Sequence, residues 1–173
     1  MGKRYIRFDL SPEGIDRAIK EVKAFRELFL LKEKQLLEGL AILGFHEASV
    51  RFTTAMYDGV NDAKVDLREI TNGYAIEANG KAVAFIEFGS GVYHNTGEPY
   101  PNPRPEGVVG IGEYGQGKGK RRAWYYKGEP GTNGEVQKNG VVKTRGNPAS
   151  MPMWYASSEM KNSILKLAKE VFN

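Results

Sequence analysis

Cysteine is missing from this chain: the count is 0 in 173 residues. No disulfide framework can form, thiol nucleophiles and zinc–cysteine sites are excluded, and what chemistry remains is that of oxygen and imidazole. Imidazole is scarce too, because His46 and His94 are the 2 histidines and no H-x-x-x-H spacing joins them. Long apolar runs are also absent. The richest stretch, FLLKEKQLLEGLAILGF, is broken by Lys32, Glu33, Lys34 and Glu38, and MGKRYIRFDL carries no signal-type apolar core, so neither membrane insertion nor export is expected. A strong charge of one sign is lacking as well. The net charge of +4 is small and spread out, which permits an anionic partner without pointing to one.

Glycine and proline are present but unevenly placed. Of the 21 glycines fourteen, and of the 8 prolines six, fall between Gly89 and Ser150. A stretch of that length without apolar periodicity cannot offset its own ordering entropy. It reads as a flexible loop or flap, 89–150, inserted in a single domain spanning 1–173, and as a contact arm.

On either side the apolar pattern is regular. Arg4–Asp9 alternates apolar with charged residues and predicts a short opening strand. Ser11 and Pro12 are an N-cap and a first helical residue. The stripe Ile15, Ala18, Ile19, Val22, Phe25, Phe29, Leu36, Leu40, Leu43 predicts a helix that stops at Gly44. Such a helix is about 45 Å long, which implies either a break near Lys32–Gln35 or an overhang packed on a neighbouring subunit. From Ala48 the period becomes two, with Val50, Phe52, Thr54 and Met56 on one face of a strand ending at Asp58-Gly59. Asn72-Gly73 and Asn79-Gly80 then divide Lys64–Thr71, Tyr74–Ala78 and Lys81–Phe88 into three antiparallel strands. Within the arm, Arg122–Tyr126 and Gly140–Thr144 predict two short strands of a flap. Ser150 as cap, Pro152, and the recurrence Met153, Ala156, Met160, Ile164, Leu167, Val171 predict a final helix. The fold class expected is α+β: an antiparallel β-meander packed by a long N-terminal helix and a C-terminal helix, with the Gly/Pro-rich loop inserted before the last helix.

No catalytic constellation emerges. Gly110, Gly112 and Gly115 spell G-x-G-x-x-G, but PYPNPRPEG precedes them and a polar glycine–lysine stretch follows, so the strand and helix of a dinucleotide site are missing. Ser90 lies in Gly-Ser-Gly without the outer spacing of a nucleophile elbow, and nothing singles out Glu69, Glu77, Glu87 or Glu98. No catalytic residue, cofactor or metal site is expected. The candidate partner-binding residues are Lys118, Lys120, Arg121 and Arg122 with Trp124, Tyr125 and Tyr126. Tryptophan, tyrosine and arginine are the usual anchors of protein interfaces. The same mixture neutralises phosphates and stacks bases, so the alternative is a nucleic-acid-binding module using loop 118–127.

Two stretches carry a resemblance: VAFIEFGSG at 83–91 and TRGNPASMPMWYASSEM at 144–160. In Glu87, Phe88, Gly89 and Gly91, and again in Thr144, Gly146, Ala149 and Pro152, the chain resembles the tail-completion, or head–tail joining, proteins of long-tailed bacteriophages, also called minor tail or minor capsid components. Ser90 stands where the family has threonine, and Met153-Trp154 departs from its aromatic–aliphatic order. The resemblance implies a non-enzymatic subunit of a homo-oligomeric ring, expected to be a hexamer, in the virion neck and in the host cytoplasm during assembly. Its implied partners are the head connector or stopper and the tail tube or terminator, with genome DNA in the channel as a further contact and no membrane.

Overall fold

A computed structural model of the chain describes residues 5–89, 123–132 and 134–173, except for the side chain of Trp124. It is an α+β fold whose longest element, α1 (Pro12–Thr54), has 43 residues, about 65 Å of helix. Ser11 caps it as expected: its Oγ accepts the Gly14 N–H at 3.0 Å, and Asp9 accepts the Ser11 N–H at 2.9 Å. Of the strand expected over Arg4–Asp9, Arg4 lies outside the described residues and Tyr5–Asp9 is not a strand, because no described strand pairs with it and Asp9 is drawn into the cap.

The helix neither breaks at Lys32–Gln35 nor stops at Gly44, and the strand expected from Ala48 is its last turns. Gly44 is a contact rather than a terminus. A β-carbon there would lie 2.5 Å from Met160 Sδ and 2.8 Å from Ile76 Cδ1, so the absent side chain lets two elements approach the helix. Beyond it, buried Ala48 and Phe52 are one turn apart. Ser49, Thr53 and Thr54 donate their hydroxyls to the carbonyls four residues back, at 2.7–2.9 Å. The i,i+4 contact into the core outweighs the strand preference of Val50 and the threonines.

Strands β1 (Lys64–Ile70) and β2 (Gly73–Asn79) form a two-stranded antiparallel hairpin, Lys64 opposite Asn79 and Ile70 opposite Gly73, lying against α1. The turn residues are Thr71 and Asn72, and positive φ appears at Gly73, so the type I′ turn expected at Asn72-Gly73 is not formed. The third strand expected at Lys81–Phe88 is instead helix α2 (Val83–Phe88). Asp62 starts it by accepting the N–H groups of Lys81 at 3.0 Å and Ala82 at 2.9 Å. Gly80, at φ 142, passes so close that a β-carbon would lie 2.6 Å from the Asp62 carbonyl oxygen. A short apolar run looks the same whether it is a buried strand or a buried helix. Here the helical turn puts Ala82 and Ile86 together on Phe52, the centre of a small core completed by Val65, Ala78 and Met153 among others.

The second sheet has the order β3 (Trp124–Lys127), β5 (Val141–Thr144), β4 (Glu135–Val136), all antiparallel. The two strands expected in the flap are thus paired, Trp124 opposite Thr144. The positive-φ Asn-Gly turn occurs here, at Asn139 (φ 68) and Gly140 (φ 69). The last helix, α3 (Pro152–Phe172), begins as predicted at Pro152, but Ser150 is not its cap. Met151, in the left-handed region at φ 51, takes that position without a side-chain bond. Helix α3 runs along α1 and ends at Phe172, which meets Phe29 at 5.5 Å between ring centres.

Candidate interaction surfaces

The roots of the arm are held by a clasp. Glu87, at the end of α2 and 4% exposed, accepts the N–H of Met153 at 2.8 Å and of Trp154 at 3.1 Å. A carboxylate there satisfies two orphan donors of the first turn of α3 and faces its positive dipole end, replacing the cap that Met151 cannot supply. One residue pair further on, the Ser150 N–H donates to the Ile86 carbonyl at 2.9 Å. Gly89, at φ 73, packs so closely on the returning chain that a β-carbon would lie 2.7 Å from Ala149 N.

A second set of bonds holds the sheet to the body. The Thr144 hydroxyl donates to the Asp58 carboxylate and accepts the Gly146 N–H at 3.0 Å, while Asn147 Oδ1 accepts the Asp58 N–H at 2.7 Å. Thr144 and Asn147 are buried, and the Thr132 N–H reaches the Tyr57 carbonyl at 2.8 Å. Residues 123–132 and 134–150 are therefore built onto the loop that follows α1, and the expectation that all of 89–150 is a flexible loop fails for this part, because strand pairing and the bonds to Tyr57 and Asp58 hold it.

Of the candidate partner-binding residues, Lys118, Lys120, Arg121 and Arg122 lie outside the described residues, as do His94, Ser90, Glu98 and the Gly110–Gly115 motif. The other three share β3, where alternation turns neighbouring side chains to opposite faces. Tyr125, opposite Lys143, is 61% exposed. Tyr126, opposite buried Val142, is half-buried and donates its hydroxyl to the Glu129 carbonyl at 3.1 Å. Burial first, and the Asp58 charge second, raise the Tyr126 phenol above its ordinary value. Trp124 is placed by its backbone opposite Thr144.

Among the described residues the candidate carboxylates do not converge. Glu69 pairs with Lys34 at 2.7 Å, Glu77 with Arg68, and Glu87 caps α3. His46 is exposed on α1. Among the described residues no group of three or more His, Cys, Asp or Glu could hold a metal ion, and no helix is long and apolar enough to cross a membrane. The exposed half of α1 is a larger feature. Residues 21–31 are exposed all the way round. A smaller cluster escaped sequence reasoning because it is assembled from two helices: the Arg51 guanidinium lies over the Tyr155 ring at 3.8 Å, and Trp154 meets that ring edge-on at 4.9 Å.

No protein-family model, curated protein or solved structure matches the chain.

Proposed function

We propose that this chain is a non-enzymatic structural subunit of a long-tailed phage neck, a tail-completion or head–tail joining protein that forms or joins a ring between the head connector and the tail tube. The observation that carries the reading is the clasp. The two stretches behind the resemblance, separated by 66 residues at their central bond, meet through Glu87, Gly89, Ser150 and Met153. Their residues thus have a physical reason to occur as a pair: one supplies the cap, the close-approach glycine and a carbonyl, and the other supplies the helix N-terminus that needs them. Such a frame, with the bonds of Thr144 and Asn147 to Asp58, fixes the body on both sides of residues 90–122, which suits a subunit that presents that segment to an adjoining ring. Its proposed partners are copies of itself, the connector or stopper on one side and the tube or terminator on the other, with genome DNA in the channel.

In vitro joining tests this reading. Purified DNA-filled heads and tails from a phage lacking the gene are expected to yield infectious particles when the purified protein is added. Particles that form equally well without it would exclude the function.

A further inference from the structure

Helix α3 ends beside Phe29, where Lys32 Nζ donates to the Val171 carbonyl at 2.6 Å, yet α1 continues N-terminally for about five further turns. At about 100° per residue, Phe25, Ala18, Phe29, Val22, Ile15 and Ile19 fall in that order within an arc of about 120°. Leu36, Leu40, Leu43 and Gly44 fall in the same arc, half-buried or buried against the body. Among the described residues, one continuous stripe is therefore covered by α3 and the β1–β2 hairpin over its C-terminal part and uncovered over its N-terminal part. Tyr5 and Ile6 reach it only at its side, bounding a groove of 530 Å³ with Phe25 and Leu28.

We infer that the N-terminal half of α1 is a self-association surface, its apolar stripe packing on the same stripe of a second copy of this chain. Area and charge select that occupant. Six large apolar residues on the stripe or at its edge, Ile15, Ile19, Val22, Phe25, Phe29 and Leu30, are each 39–53% exposed. Taking about 180 Å² for each side chain, they offer on the order of 500 Å² per copy, the size of the largest and often functional patch of a monomer and, doubled, of a weak, reversible interface. Along residues 12–31 the charges cancel: Glu13, Asp16, Glu21 and Glu27 against Arg17, Lys20, Lys23 and Arg26. A surface of net charge zero with both signs interspersed complements a copy of itself and offers no field to nucleic acid or to an acidic protein. A solitary helix of this length is also marginal in water, so the projecting half gains its order from the contact. The inference deepens the proposed ring by naming a contact between its subunits, and it is testable without heads or tails.

Analytical ultracentrifugation of the full chain decides it. From about 1 to about 100 μM the wild type is expected to sediment as a concentration-dependent homo-oligomer. Phe25→Glu, and the milder Val22→Ser should Phe25→Glu prove insoluble, should weaken association about tenfold or more. Lys166→Glu, exposed on α3 and outside residues 12–31, should leave it unchanged. A wild type that stays monomeric at the highest concentration overturns the inference, and so does an oligomer that neither stripe variant weakens. Loss of head–tail joining with self-association intact would count against the neck reading alone.

Discussion

Two residues show how close backbone approaches and backbone hydrogen bonds constrain this chain. Gly89 combines a positive φ with an approach of 2.7 Å between a notional β-carbon and Ala149 N, so alanine there strains the backbone and pushes the clasp apart. Gly89→Ala should lower unfolding stability by more than about 1 kcal/mol, measured by urea denaturation; an unchanged midpoint would show that the clasp is not tight. Asp62 makes a second, pH-dependent prediction. The backbone N–H groups of Ala82 and then Lys81 hold its carboxyl below the ordinary value. A carboxyl whose folded value is depressed adds stability at neutral pH that is lost as pH falls below about 4 and through the folded value. Asp62→Asn should therefore lower Tm at pH 7 but much less at the acidic end, and a Tm difference constant with pH would contradict the role assigned to it.

Among elements, those announced by caps and long periodicity were legible in the sequence, and those decided by contacts were not. Ser11-Pro12 marked the start of α1, and the Met153–Val171 recurrence marked α3, because local bonds and one apolar face suffice to define each. The end of α1 was hidden because Gly44 serves packing against Met160 and Ile76, and because Ser49, Thr53 and Thr54 satisfy their hydroxyls along the helix. Helix α2 was hidden because its apolar run carries no period, and its start depends on Asp62, 20 residues before Ala82. Of the candidate site, sequence found the aromatic strand but not that pleating would part its two tyrosines, nor that Glu87 caps α3. Tyr125 is the exposed one. Tyr125→Ala should change stability by less than about 0.5 kcal/mol while reducing the infectious titre of a complemented null phage. Normal titre would remove this side chain from the joint.

At the scale of the whole molecule, a small core centred on Phe52, Ala82 and Ile86 supports a helix that projects well beyond it and a clasp that frames an arm. Under the proposed neck role and the inferred self-association, the apolar helix face left exposed among the described residues and the clasp would both serve contacts between subunits. The most direct measurement is an electron cryomicroscopy reconstruction of the neck of the virion that carries this gene. The account predicts a ring between connector and tail tube in which each subunit shows the 43-residue helix lying along α3, with density for the arm reaching an adjoining ring. A complete neck in which no subunit has that pair of helices would contradict it.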